Sequence, residues 1–415
     1  MKHVLFIAYL FPPSAGGGVQ RTVKFLKYLS RMNIRATVIT GAVKGGSTQS
    51  SLTKDIPTTT NVQRVSGFLV PTLAPSIIKR NIIKWILTVD AEIGWLPFAV
   101  KRGFKLIREN KFSTMYSTSA PYTDHLVALG LKEHSDLPWV ADFRDPWVAN
   151  FSQQFATRFH KRFCAYLEDR VVRTADRVLV VSEPMKRQFV ERYPGVESDK
   201  FVTIPNGFDP DDFKGQTPIK NKNICFRLVY TGNLYGEKQT ARPFLQALRK
   251  ALDRRLIDRE KFSLTFFGSV GEKTRRLVNN YGLQDVCKIE GRKSHTEVIR
   301  MQLGAEALLL IIGSGPGSDV VFTGKIFEYL AAKKMILALV PDGAASELVK
   351  KAKAGIVVDP DDIGAIEKTL VDCYRKWEHG QLRIEPDEQV IDSYARPLQA
   401  QRLAEIFATL KCKNI

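Results

Sequence analysis

Residues 14–29 read "SAGGGVQRTVKFLKYL". They follow an apolar run, "HVLFIAYLF", and open an amphipathic helical pattern. Strand, glycine turn and helix begin a phosphate-binding βα unit, and Gly16, Gly17 and Gly18 would let backbone approach a ligand at a helix start, where anions bind. Two familiar motifs do not fit. A dinucleotide fingerprint needs a third glycine, and Arg21 stands there; the second strand, "RATVIT", also runs into "GAVKGG" with no carboxylate. A P-loop needs G-K-[ST] at the end of the loop, and that too is absent. A ligand loop and a plain tight turn both remain open from this stretch alone.

Working outward, the first half alternates strands, at 3–9, 35–40, 113–117, 138–142 and 178–182, with helices, at 18–32, 123–132, 154–174 and 184–192. Such alternation predicts a parallel sheet covered on both faces. Punctuation thickens at "TIPNGFDPDDF", and the alternation then restarts from "CFRLVYTG" through "GKIFEYLAAK" and "MILALV" to "GIVVD". The expectation is two doubly wound Rossmann-like α/β units, 1–205 and 206–394. A last helix at 395–415, with Leu398, Leu403, Ile406, Phe407 and Leu410 as its stripe, is expected to pack back on the first unit.

The 415 residues are 44% hydrophobic, ample for two cores. With 62 basic and 43 acidic residues the net charge is +19, which favours an anionic partner. No zinc spacing, helix-turn-helix or aromatic RNA motif accompanies that charge, so nucleic acid is not expected. The five cysteines are scattered, which predicts reduced thiols and a cytoplasmic chain. The sequence opens straight into a strand, so no signal peptide is expected, and no apolar run is long enough to span a membrane. Segment 71–108 mixes tryptophans and isoleucines with lysines and arginines. It reads either as a membrane-surface segment or as a stripe packing on the first unit.

The strongest local signal is "VVFTGKIFEYLAAKKMILALV", residues 320–340. Thr323 and Gly324 stand at a helix start, Lys325 adds a cation, and Glu328 lies one turn inside. Phosphate on the amides and ribose hydroxyls on the carboxylate together describe a nucleotide. An N-capped surface helix with a Lys325–Glu328 pair is the plainer alternative.

The order of pieces resembles glycosyltransferase family 4, of the GT-B fold. "FPPSAGGGVQRTVKFLKYLS" is similar to its glycine loop, "PNGFD" to its interdomain N-G-x-D, "YTGNLYGEK" to its G-R-L-x-x-x-K segment, and "GKIFEYLAAKKMILA" to the helix carrying the second glutamate of E-x7-E. "ADFRDPW" looks characteristic of one bacterial subgroup. There are departures. Val320 stands where the first glutamate of E-x7-E falls, Asn233 replaces the arginine of G-R-L, and Lys238 keeps the lysine spacing with Arg242 four residues on.

The resemblance implies a retaining transfer from a nucleotide-sugar, UDP-linked, to a hydroxyl of a glycan or lipid-linked acceptor at the inner face of the membrane, in surface polysaccharide or glycoconjugate synthesis. It implies Gly17, Gly18, Asn233, Lys238, Arg242, Thr323, Gly324, Lys325 and Glu328 as donor contacts. Asp142, Arg144 and Asp145, after the strand "PWVA", are the candidate catalytic residues, since ligands bind beyond the carboxyl ends of strands in open α/β sheets. A buried Asp–Arg pair fixing the loop is the plainer reading. His125 begins a helix beside the same edge and could cap it or contact substrate, but a lone histidine there is more often structural. The two "DPDD" runs, at 209–212 and 359–362, contain D-x-D, but N-capping explains them and no metal or cofactor is expected. A nucleotide-sugar 2-epimerase and a non-catalytic nucleotide-sugar-binding subunit are the alternatives.

Overall fold

A computed structural model describes residues 2–14, 16–42, 51–68, 89–150, 155–219, 224–234, 240–315, 317–320 and 323–410. The chain divides into two compact units. One comprises Met1–Pro205 with Arg396–Ile415, the other Asn206–Ala395.

The first unit is a seven-stranded sheet in the order β3-β2-β1-β4-β5-β6-β7, every neighbouring pair parallel. Its strands are β1 His3–Ile7, β2 Arg35–Gly41, β3 Asn61–Val65, β4 Thr114–Ser119, β5 Trp139–Phe143, β6 Arg177–Val180 and β7 Phe201–Thr203. Its helices are α1 Gly17–Arg31, α2 Leu96–Glu109, α3 Thr123–Lys132, α4 Arg158–Thr174 and α5 Glu183–Arg192. The central strands are buried on both faces, so they read as unbroken apolar runs. Two strands escape the sequence patterns. β3, "NVQRV", is a half-exposed edge strand with no buried residue, and β7 has three residues.

The second unit repeats the plan with six parallel strands in the order β10-β9-β8-β11-β12-β13. These are β8 Phe226–Thr231, β9 Phe262–Phe267, β10 Cys287–Glu290, β11 Ala307–Ile311, β12 Met335–Leu339 and β13 Gly355–Val358. Its helices are α6 Pro210–Phe213, α7 Arg242–Asp253, α8 Gly271–Asn280, α9 His295–Gly304, α10 Gly324–Ala332, α11 Ala344–Lys351, α12 Ile363–Glu378 and α13 Glu388–Asp392. The last helix, α14 Arg396–Thr409, belongs to the first unit and packs on α1. Leu403 and Phe407 are buried there with Phe25 and Leu29, whereas Leu398, expected in the stripe, is 43% exposed because it faces away from α1.

Both sheets reverse their strand order between their first and fourth strands, at β1/β4 and at β8/β11. Ligands of doubly wound sheets bind in the crevice outside such a switch point. In the described part of 71–108, Trp95, Ala99 and Leu106 are buried in the first unit's core, which makes α2 a packed helix. Trp85 and Lys84 lie outside the described residues. Cys164, Cys225, Cys287 and Cys373 are free thiols. Among the described residues no helix is long and apolar enough to cross a membrane.

Candidate functional site

At the first switch point, α1 starts without a side-chain cap, and its earliest helical bonds run from Val19 and Gln20 to the Gly16 carbonyl. The amides of Gly17 and Gly18 precede those bonds and point out of the helix start. Gly16 has φ 140°, the left-handed region that glycine alone adopts readily. Arg144, from the loop after β5, lies against this turn. Its Nε and Nη2 donate to the carbonyls of Ser119 and Ala120, at the end of β4. Its Nη1 occupies the place a Cβ on residue 18 would take, so only glycine at 18 leaves room for it.

The "ADFRDPW" segment alternates inward and outward. Phe143 and Trp147 are fully buried; Trp147 stacks on Tyr122 at 4.8 Å and 2° between planes, and the Tyr122 hydroxyl donates to the Pro146 carbonyl at 2.8 Å. Glu168 holds the following turn by accepting from the Val148 amide at 2.7 Å. These anchors present Arg144 and Asp145 outward. Asp145 is exposed beside the Arg144 guanidinium.

Asp142 requires a correction. Expected among the catalytic residues, it is fully buried. Both its oxygens accept from Arg21, at 2.8 Å each, and it also accepts from Tyr116 at 2.5 Å and Thr118 at 3.1 Å. Arg21 also donates to the carbonyls of Ile204 and Pro205, 2.9 Å each. Desolvation alone would raise Asp142, but the Arg21 charge and hydrogen bonds outweigh it and hold the carboxyl below its ordinary pKa. Both oxygens are engaged inside the unit, where Asp142 and Arg21 tie β5, α1 and the end of β7 together. His125 is likewise internal. Its Nδ1 pairs with Ser117 Oγ at 2.8 Å, it packs on Phe143, and burial lowers its pKa to about 3. It is therefore neutral and away from solvent.

At the second switch point, α10 begins with Thr323 as its N-cap residue, but the Thr323 side chain makes no capping bond. Among the described residues a Cβ on Gly324 would meet nothing within 4 Å, so none of them blocks the helix start. Lys325 does not pair with Glu328. Its Nζ donates to the Tyr230 hydroxyl at 2.6 Å and lies 4.1 Å from that ring's centroid. A Cβ on Gly232, at the end of β8, would stand 3.1 Å from Nζ. Gly232 (φ 108°) and Gly268 (φ 121°) together let the β8 and β9 loops pass in close contact. Desolvation lowers the Lys325 pKa to about 7, with Glu328 opposing.

Glu328 is 18% exposed and held by two residues of α9, seven apart on one face of that helix. His295 Nε2 lies 3.0 Å from Oε1, and Gln302 Nε2 donates to Oε2 at 3.3 Å. His295 Nδ1 faces Asp212 at 3.8 Å. Tyr329 accepts from the Thr231 amide at 2.8 Å and donates to the Leu309 carbonyl, pinning α10 to β8 and β11. Asn233, expected on the donor, accepts from the Ser269 amide at 3.0 Å and receives the Tyr230 hydroxyl on its carbonyl, so it shapes the loop. Arg242, the first residue of α7, is exposed. Lys238 lies outside the described residues. Asp209 caps α6 and Asp362 caps α12.

Sequence reasoning passed over Arg21, Tyr230, His295 and Gln302. Arg21 carried a signal, since it sits on the same helical face as Leu29 and Phe25. His295 carried none, because "KSHTEV" reads as an ordinary capping box.

Two parallel-sheet Rossmann-like units of seven and six strands define the GT-B architecture. Residues 15–212 match the model of Glycosyltransferase Family 4, and residues 225–376 match that of Glycosyl transferases group 1. The chain is thus a glycosyltransferase of the GT-B type, with a Family 4 portion followed by a group 1 portion. A glycosyltransferase from Rickettsia africae is similar in fold, with TM-score 0.67 and 16% identity over 98% of each chain. Sucrose-phosphate synthase from Thermosynechococcus elongatus gives 0.69 and 15% over 99% of each. HepE from Anabaena, solved in complex with UDP-glucose, gives 0.66 and 16% over 99% of this chain and 100% of that one. Comparison with curated proteins finds no match.

Proposed function

We propose that this glycosyltransferase moves a sugar from a UDP-sugar to a hydroxyl of a glycan or lipid-linked acceptor, with retention of configuration and without a metal. One observation carries the reading: an open helix start at Gly324, a cation at Lys325 and a braced carboxylate at Glu328 converge at the second sheet's switch point. The diphosphate lies on the α10 amides, with Lys325 and Arg242 supplying positive charge, as developing charge on a leaving phosphate requires. Ribose hydroxyls donate to Glu328, whose direction His295 and Gln302 fix. Support for the uridine nucleotide comes from HepE, which was solved with UDP-glucose.

In the first unit, the amides of Gly17 and Gly18 and the outward edge of Arg144 form an anion-binding turn. We assign Arg144 to an anionic group of donor or acceptor, and Asp145 to the acceptor hydroxyl. The basic balance of the chain suits a phosphate-bearing acceptor at an anionic surface.

Val320, where relatives carry a glutamate, favours one competing reading, a subunit that binds nucleotide-sugar without turning it over. The deciding experiment incubates the chain with a panel of UDP-sugars and a crude glycolipid extract and follows UDP release. Release that needs both donor and extract, and survives EDTA, is the expected result. Tight UDP binding with no release for any sugar would establish the non-catalytic reading. Abolition by EDTA, with recovery on adding Mn²⁺, would overturn the metal-free part.

A further inference from the structure

The inner face of α4 buries His160, Cys164, Glu168, Val171 and Val172, as a covering helix should. Its outer face is unusual. Phe159 is 68% exposed and Tyr166 is 56% exposed, and Phe163 lies between them at helical spacing. The Phe159 and Phe163 rings stack on each other at 6.3 Å, 10° between planes, and Phe163 is half-buried. Among the described residues the other strongly exposed aromatic, Phe68, packs edge-on against Phe98. Beside this ridge stand Arg158, Lys161 and Arg162, all exposed and without an ion pair among the described residues. Further along the helix the arrangement changes: Arg170 pairs with Glu133, and Arg173 with Asp169.

We propose that this outer face of α4 docks on an anionic lipid surface, with Phe159, Phe163 and Tyr166 entering the interface and Arg158, Lys161 and Arg162 meeting the head groups. An aromatic ridge flanked by unneutralised cations is what an interfacial helix presents. A convex ridge has no groove for a peptide. A symmetric second copy would bring three unpaired cations against three more. The placement also serves the acceptor. In a parallel sheet, the start of α4 lies at the carboxyl edge of the strands, the edge that carries Gly17, Gly18 and Arg144. This surface is independent of the nucleotide assignment above.

The test uses the full chain and sedimentation with vesicles of 70:30 phosphatidylcholine–phosphatidylglycerol at low salt. Wild type is expected to partition onto these and to ignore pure phosphatidylcholine. Phe159→Ser with Tyr166→Ser should lower partition at least tenfold. Each of Arg158→Gln, Lys161→Gln and Arg162→Gln should lower it about fivefold. Lys261→Gln, an exposed change in the second unit, should leave it unchanged. All these positions are exposed, so melting temperature and UDP affinity should hold, which separates this proposal from the donor site. Three results would overturn it: wild type that never binds the vesicles, α4 variants that bind as well as wild type, or loss confined to Trp85→Ala with Lys84→Glu. Concentration-dependent dimerisation that the α4 variants abolish, with vesicle binding intact, would assign the face to a second copy instead.

Discussion

Gly18 and Arg144 share one space: the guanidinium, held by the Ser119 and Ala120 carbonyls, lies where a side chain at residue 18 would begin. Gly18 does not have a positive φ, and alanine is intrinsically better than glycine in a helix by about 1 kcal/mol. Gly18→Ala should therefore fold at least as well as wild type while displacing Arg144. We expect a melting temperature within a few degrees and sugar transfer reduced roughly 100-fold, the scale of losing one preorganised electrostatic group. Arg144→Lys should not restore activity, because a lysine cannot bond both carbonyls and still face the turn. Full transfer by a folded Gly18→Ala chain would remove Arg144 from the site.

The Arg21–Asp142 pair predicts stability. Breaking a buried, hydrogen-bonded ion pair costs about 3–5 kcal/mol, because the surviving charge is left uncompensated. Denaturant unfolding of Asp142→Asn should show that loss, and Arg21→Met with Asp142→Leu should lose less than the sum of the single changes. Asp142's pKa is lower folded than unfolded. Its contribution is thus complete above the ordinary carboxylate pKa and disappears as pH falls through the folded value. The gap between wild type and Asp142→Asn should accordingly narrow toward acid. A gap independent of pH would contradict the ion-pair account.

Lys325 predicts a proton linkage. With its pKa lowered to about 7, it is largely neutral in the free protein at pH 8. An arriving diphosphate favours the charged form and raises that pKa. UDP binding should then take up protons at pH 8, and affinity should fall as pH rises above about 7. Calorimetry in buffers of different ionisation enthalpy measures the uptake, and Lys325→Met should abolish it. The folded pKa lies below the unfolded 10.5, so this group's penalty on stability is full below about pH 7 and relaxes toward pH 10. Equal proton uptake in wild type and Lys325→Met would place the diphosphate elsewhere.

The doubly wound sheets were legible because their buried strands are continuous apolar runs between helices of clear period. β3 was not, because a half-exposed edge strand of "NVQRV" has no apolar signature. In the candidate site, Glu328 and Lys325 stand out in the sequence by their place at a glycine-led helix start. Their partners do not: His295 and Gln302 come from α9 and Tyr230 from β8, and only folding brings those segments together. Asp142 misled for a related reason. A carboxylate at a strand's end looks presented to ligand until its neighbour strand and α1 close over it, and Arg21, noticed as a missing glycine, was its partner.

His295 should act on nucleotide only through Glu328. His295→Ala leaves Gln302 on the carboxylate, so UDP affinity should fall roughly three- to tenfold, less than for removal of Glu328 itself. His295→Gln, which keeps a donor, should recover much of the loss. In the Glu328→Ala background His295→Ala should add nothing. An equal loss in both backgrounds would show that His295 acts by some other route.

Calorimetric titration with UDP, free of any sugar, of wild type, Glu328→Ala and Glu347→Ala tests the donor site most directly. Each charge-assisted hydrogen bond from ribose contributes about 1.5–3 kcal/mol, so losing one or two weakens binding by roughly ten- to several-hundred-fold. Glu347 is exposed on α11 and should change affinity by less than about twofold. Weakening at Glu328 alone, with all three chains folded, is the predicted result. Equal UDP affinity in wild type and a folded Glu328→Ala would contradict the account, since the ribose would then lie on some other part of the unit.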